Sequence, residues 1–260
     1  AVETTEGPLL IIAGPGSGKT RVITHRIAYL VKSCGVTPYR IAAVTFTNKA
    51  AREMTKRLTD LECDDITIGT FHAFCSKILR RDGSVIGLDS NFVIYDDTDQ
   101  VALIKSSMKD VEIDPKQYAP RAIQSSISNA KSQLLDPEEF SRNIKNYYDE
   151  IVLRVYEQYS HRLSKSSAVD FDDLLFKACT LFKQFPEITN KYQDRFIHFM
   201  VDEFQDTNVA QYSIAKQMSQ KYHNLCVVGD PDQSIYSWRN ADIRNILSFQ
   251  SDYPKAKTIT

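Results

Sequence analysis

A lysine followed by a hydroxyl residue, behind a glycine-rich loop and an apolar run, is a spacing suited to phosphate chemistry. Residues 9–20, LLIIAGPGSGKT, have this form. Gly14, Gly16 and Gly18 can take backbone angles that turn successive N–H groups toward phosphate oxygens. The helix that follows directs its positive end to the same point. Lys19 would then reach the terminal phosphates, and the Thr20 hydroxyl would coordinate Mg²⁺. The strict pattern G-x-x-x-x-G-K-[ST] is broken at its first position, which holds Ala13. Glycine matters less there than at the tight turn beside Lys19. The competing reading is an ordinary glycine-rich turn. Strand, loop, Lys-Thr and helix in one context instead favour a nucleoside triphosphate, with Gly14, Pro15, Gly16, Ser17, Gly18, Lys19, Thr20 and Arg21 as its contacts.

A second chemical signal is FMVDEFQD, which sets Asp202 and Glu203 at the end of an apolar run. In open α/β sheets ligands lie beyond the carboxyl ends of the strands. Asp202 suits a role in holding Mg²⁺, directly or through water, and Glu203 suits orienting and deprotonating an attacking water. Alone, Asp-Glu is as often a helix cap; beside a phosphate loop it completes a hydrolase. Gln233, in GDPDQS, also follows a strand signal. Its amide reads equally well as a γ-phosphate contact or as a turn residue.

Aromatic residues recur at similar junctions. VTFTNKAAREM and IGTFHAFCSKILRR each join a strand end, a Thr and an aromatic to a helix bearing basic residues. Phe46, Thr70, Phe71 and His72 fall at these junctions, where stacking on a base is worth roughly 1–3 kcal/mol without sequence preference. Phe71 reads rather as core. The sole tryptophan, Trp238, sits in QSIYSWRNAD between Tyr236 and Arg239, among polar residues. Phe46, Tyr236 and Trp238 in this aromatic and basic setting point to single-stranded nucleic acid.

The elements that must position these groups can be read from periodicity. Short apolar runs at 9–13, 41–46 and 66–69 alternate with amphipathic helices at 21–31, 48–58 and 71–80, which predicts a parallel sheet with crossover helices. Between about residues 90 and 168 the pattern is helical. Asp97 and Gln100 have capping-box spacing, and Asp136-Pro137 marks another helix start. Phe140, Ile144, Tyr147, Ile151, Val155 and Tyr159 follow at helical spacing. Strand signals return at 196–203 and 225–230, and the closing KAKTIT reads as an interrupted strand. The expected fold is an α/β domain interrupted by an all-helical insertion. Residues 1–88 and 169–260 are predicted to form the α/β part and 89–168 the insertion. Arg80, Arg81 and Lys131 could touch duplex DNA there, though solvated basic faces are the favoured reading.

The totals exclude less than they permit. With 260 residues, 42% hydrophobic and 25% charged, the chain can bury a sizeable core. Its net charge of −1 does not advertise a nucleic-acid partner, but a local basic patch suffices. The five cysteines, at 34, 63, 75, 179 and 226, show no C-x-x-C pair and suggest a reducing compartment, hence a cytoplasmic location. No apolar run approaches the ~20 residues of a membrane span. The opening AVETTEGPLL has no initiator Met and no secretion-signal pattern, so the chain reads as a piece of a longer protein.

The ordered set AGPGSGKT, AVTFTNKAAREM, TIGTFHAF, VDFDDLL, VDEFQDTN and VVGDPDQSIYSWRNADI resembles the UvrD/PcrA/Rep group of superfamily 1 DNA helicases, most closely its PcrA and UvrD members. The likeness covers essentially the whole chain. It implies a RecA-like P-loop NTPase core with a helical subdomain inserted, the first motor domain of a translocase that uses ATP and Mg²⁺ on single-stranded DNA and at single-strand/duplex junctions. It implies that Gln233 contacts the γ-phosphate and links it to the DNA site. It assigns Phe46, Thr70, His72, Tyr236, Trp238 and Arg239 to DNA, Trp238 by stacking on a base. Against the family pattern, Pro15 replaces Ala, Phe204 replaces Tyr, Ser237 a commonly basic residue and Asn240 a Gly; the last two bear on the DNA grip. The family also has a glutamine motif before the stretch that starts here, a second motor domain after residue 260 with transition-state arginines, and repair-protein partners. The 260 residues by themselves are therefore expected to bind nucleotide, hydrolyse it poorly and unwind nothing, since losing such an arginine costs roughly 10³–10⁵ in rate. A RecB-like helicase–nuclease arm, or a non-catalytic module that uses nucleotide as a structural ligand, are the alternatives. Intact Lys19, Asp202 and Glu203 argue against the last.

Overall fold

The computed structural model describes residues 1–14, 16–230 and 244–260. The chain forms two compact units, Ala1–Phe74 with Phe182–Thr260, and Cys75–Leu181. The first begins with β1 (Leu9–Ile12), α1 (Lys19–Lys32), β2 (Ile41–Thr45), α2 (Asn48–Asp60), β3 (Thr67–Thr70) and the start of α3 (Phe71–Asp82). The second carries β4 (Val93–Ile94), α4 (Asp97–Asp110), α5 (Pro120–Ser132), α6 (Pro137–Ser141), α7 (Tyr147–Lys165), β5 (Ala168–Val169) and most of α8 (Phe171–Gln184). The first unit resumes with α9 (Pro186–Arg195), β6 (His198–Val201), α10 (Val209–Ser219), β7 (Leu225–Gly229), α11 (Arg244–Asp252) and β8 (Lys257–Ile259).

Six strands make one parallel sheet in the order β3-β2-β6-β7-β1-β8. Every residue of β2, β6 and β7 is buried, as expected of strands covered on both faces. That is why these segments read as predominantly apolar runs rather than alternating ones. One core cluster joins Leu9 and Ile11 of β1 to Ile23, Ile27 and Leu30 of α1 and to Met54 and Leu58 of α2. The closing strand signal is β8, which lies on the free side of β1 with Leu9 opposite Lys257. The apolar run at 196–203 yields a strand only over His198–Val201. Phe196 ends α9, and Glu203 turns left-handed at φ 51°.

His198 starts β6 opposite Ile41 and is buried, with no hydrogen-bond partner for its Nδ1 among the described residues. Burial, reinforced by the Arg26 charge, pushes its pKa down to about 4. The unfolded chain, near 6.5, therefore takes up the proton first, so this contribution to stability is present above pH 6.5 and is lost as pH falls toward 4. Urea unfolding of wild type against a His198→Asn variant is expected to show about 2 kcal/mol of additional wild-type loss between pH 7 and pH 5. Equal pH slopes for the two proteins would refute the assignment.

In the second unit, Ile104 and Met108 of α4, Ile123 and Ile127 of α5, and Val152, Val155, Tyr156 and Tyr159 of α7 share one core. The helical reading needs three refinements there. The capping box of α4 is Asp96 with Asp99, one residue earlier than the spacing suggested, and the Gln100 amide donates instead to the Tyr95 carbonyl. The apolar series from Phe140 to Tyr159 is not one helix: α6 ends at Ser141, and α7 restarts behind Asn146, whose side chain accepts from Asp149 N–H. A two-residue parallel ladder, β4 with β5, accompanies the helices. Asp136 caps α6 as expected, accepting from Glu139 N–H at 2.7 Å.

Lys131 is neither a DNA contact nor part of a solvated face. It is 2% exposed, with its ammonium 2.6 Å from Asp170 and 2.8 Å from Asp173. Arg80 and Arg81 are exposed; Arg80 donates to the Ser90 carbonyl and lies over the Phe92 ring.

Candidate functional site

The ends of β1 and β6 bring the described nucleotide residues predicted from sequence to one edge of the sheet, with the end of β7 beside them. Beyond β1, Ala13 N–H donates to the Gly229 carbonyl, fastening the start of the glycine loop to β7. Gly16 and Gly18 have φ of 72° and 85°, a left-handed backbone that glycine adopts without penalty. Gly18 is the N-cap of α1, and no side chain caps that end, so the first-turn N–H groups face the loop. Ser17 closes the loop, its hydroxyl donating to the Gly14 carbonyl at 2.6 Å. Arg21, the third residue of α1, is exposed and its Nε donates to His25 Nε2 at 3.4 Å.

Across from α1, Asp202 follows β6 and is held by its own N–H donating to the Val44 carbonyl of β2. The Thr20 hydroxyl donates to Asp202 Oδ2 at 2.9 Å, and Glu203 N–H donates to Oδ1 at 3.0 Å. Asp202 is 2% exposed, and burial pushes its pKa up to about 6 against the help of Thr20. Lys19, itself buried, places its ammonium 3.6 Å from Glu203 Oε2 and 3.8 Å from Asp230 Oδ2. Glu203 takes a left-handed backbone, φ 51° and ψ 46°, which costs a non-glycine residue roughly 1 kcal/mol or more. The strain turns the chain sharply out of β6 and leaves the Glu203 carboxylate partly exposed beside Lys19.

Three residues that the sequence reading did not single out complete this group. Asp230 directly follows β7 and is 3% exposed. Gln205 and Asp206 follow Glu203 and are buried. Asp206 has its pKa pushed up to about 6 by burial and by Glu203, and its Oδ1 has no hydrogen-bond partner among the described residues. The available signal was the repetition of a carboxylate at each apolar strand end, VDE and VVGD. Gln205 offered none, because the partner of its carbonyl, Asp230 N–H, lies 25 residues away in the chain.

The donor set fits a divalent cation and a phosphate chain. A hydroxyl and a buried carboxylate 2.9 Å apart are hard oxygen ligands of the kind Mg²⁺ takes. A carboxylate with its charge disfavoured by burial gains from a cation, and so does an orphaned Asp206 oxygen. Lys19 supplies the positive charge that polyphosphate needs.

Of the residues expected at DNA, Phe46 stands directly after β2, half-buried, and Thr70 and His72 stand at the β3–α3 junction on the same edge of the sheet. Thr70 is buried and its hydroxyl accepts from Ala73 N–H, starting α3. Phe71 is 2% exposed and belongs to the core, as its setting suggested. Pro15, Gln233, Tyr236, Ser237, Trp238, Arg239 and Asn240 lie outside the described residues.

Residues 1–254 match the UvrD/REP helicase N-terminal domain. ATP-dependent DNA helicase PcrA of Bacillus subtilis (strain 168) is 53% identical across the whole of this chain, which covers 36% of that protein. The PcrA proteins of Staphylococcus epidermidis (strain ATCC 12228 / FDA PCI 1200) and Staphylococcus aureus (strain NCTC 8325 / PS 47) are each 52% identical, with the same coverage. The chain thus spans about a third of the length of these relatives. With a glycine loop, a lysine and paired carboxylates gathered on a parallel sheet, and a family match over nearly its full length, the chain belongs to the UvrD/REP helicase N-terminal domain family.

Proposed function

We propose that the chain is the ATP-binding N-terminal part of an ATP-dependent translocase on single-stranded DNA, which in the intact protein acts as a DNA helicase. Residues 1–88 and 169–260 are the motor domain in this reading and residues 89–168 its helical insertion. The supporting observation is the hydrogen bond from Thr20 to the buried Asp202, with Lys19 and Glu203 beside it. Gly14, Gly16, Ser17 and Gly18 bind phosphate oxygens through backbone N–H groups, and Lys19 neutralises their charge. Thr20 and Asp202 hold Mg²⁺, which when bound neutralises charge on the phosphates. Glu203 orients water and accepts its proton. Its contacts with Lys19 and Gln205 both fall on Oε2, so Oε1 is the atom to which we assign that proton. Polarity 3′→5′, a second motor domain, action at single-strand/duplex junctions, repair or replication partners and a cytoplasmic location belong to the same reading. Among the described residues no helix is long and apolar enough to cross a membrane.

The sole tryptophan tests the DNA half of the proposal. Titrating the protein with an oligothymidylate is expected to quench Trp238 fluorescence saturably. The quench should weaken with salt, as phosphate contacts do, and shift when a non-hydrolysable ATP analogue is added. Binding detected by anisotropy with no change in tryptophan emission would remove Trp238 from the DNA site.

A further inference from the structure

We infer that Gln205 is a positioning residue for ATP hydrolysis, setting the Glu203 carboxylate in fixed register with the phosphate loop. The inference rests on the hydrolytic reading above. The Gln205 side chain is 1% exposed and every polar atom of its amide is engaged. Nε2 donates to Glu203 Oε2 at 2.8 Å and, more distantly, to Asp206 Oδ2 at 3.3 Å. Oε1 accepts from Asp230 N–H at 2.9 Å. Chemistry leaves only one orientation for this amide: a backbone N–H can only donate and a carboxylate can only accept, so a flipped amide would lose its bonds to both.

The peptide that Gln205 grips is itself tied to the phosphate loop. Gly229 and Asp230 share one peptide unit, whose carbonyl accepts from Ala13 N–H at 3.1 Å and whose N–H donates to Gln205. A peptide unit is planar and stiff. The path from Ala13 through this plane and the Gln205 amide to Glu203 Oε2 is therefore three hydrogen bonds with no solvated joint. Glu203 needs such a tether, because its left-handed backbone is strained and its side chain is partly exposed. Space confirms how closely the amide is seated: a Cβ on Gly229 would come 2.8 Å from Gln205 Oε1.

Two charge-neutral substitutions in the intact protein test this. Gln205→Met keeps the shape and removes all three bonds, while Gly229→Ala keeps the amide and displaces it. Each is expected to lower the kcat of DNA-stimulated ATP turnover about 10- to 100-fold, the cost of misplacing a reacting group by about 1 Å. KM, and the dissociation constant for a fluorescent non-hydrolysable ATP analogue, should stay within about twofold of wild type, because neither substitution replaces a loop residue, Lys19 or Thr20. Either variant with kcat within about threefold of wild type overturns the inference. So does a loss of nucleotide affinity in parallel with kcat, which marks a merely structural amide. Should Gln205→Met fail to fold, Gly229→Ala carries the test. Failure of the underlying reading looks different: wild type would not turn over ATP, or Lys19→Ala would leave turnover and nucleotide affinity unchanged.

Discussion

Glu203→Gln is expected to slow ATP turnover by about 10²- to 10⁴-fold, the contribution of a positioned general base, while nucleotide still binds. In the proposed reading this side chain deprotonates the attacking water; it lies 3.6 Å from the Lys19 ammonium and accepts from Gln205. Gln has the same shape but cannot take a proton. Removing the charge also releases Lys19 from one of its two described carboxylate neighbours, so affinity for a non-hydrolysable analogue should be equal or tighter. Measuring turnover and affinity side by side in the intact protein separates the two effects. Turnover within about threefold of wild type would mean that the base is elsewhere, and Asp230, 3.8 Å from the same ammonium, would be the next candidate.

The second large effect is on stability. Lys131→Met should destabilise the Cys75–Leu181 unit by about 3–5 kcal/mol, the usual cost of removing one partner from a buried ion pair. Asp170 and Asp173 cap the start of α8 reciprocally, each accepting from the other's N–H, at 2.7 and 3.2 Å. Tyr159 donates to Asp170 as well. Both carboxylates are buried, and among the described residues only Lys131 lies within ion-pair distance of both. Burial and the Asp173 charge raise the pKa of Asp170, whereas Lys131 and Lys177 hold Asp173 below the usual carboxylate range against the effect of burial. The sign with pH follows. A depressed carboxylate stabilises above its unfolded pKa and loses that contribution as pH falls. The gap between wild type and variant should therefore be widest near neutrality and narrow below about pH 4.5. Urea unfolding followed by far-UV circular dichroism, with hydrogen exchange in α5 and α8, reports both the size and the trend. A gap under about 1 kcal/mol at pH 7 would show that the pair is dispensable. Replacing all three residues by neutral ones should recover part of the loss, since no buried charge is then left without a partner.

Much of the chemistry was legible because it is local. A glycine loop between an apolar strand and a helix needs no distant partner to be recognised, since its own backbone makes the site. The strands read clearly for a related reason: a parallel strand covered on both faces is apolar at most positions rather than at alternate ones. Local capping was legible to within a residue. Asp136-Pro137 was placed correctly, while the α4 box lies at Asp96 rather than Asp97, because several adjacent acids offered the same pattern and only the backbone turn selects among them.

What the sequence alone determined was a glycine loop ahead of a lysine, a carboxylate pair, and a parallel sheet to present them. The tertiary structure alone decided the partners. Lys131 looks like any surface lysine in the run NAKSQ until α5 brings it to two acids some 40 residues away. Gln205 looks like a spacer in DEFQD until β7 sets a backbone N–H against it. Asp230 joins Lys19 only because β7 lies between β6 and β1 in the sheet. Strand order is set by the packing of the whole chain, and a side chain's partner across the sheet leaves no periodicity in its own neighbourhood. The residues that carry charge into the interior are for that reason the ones that only the fold reveals.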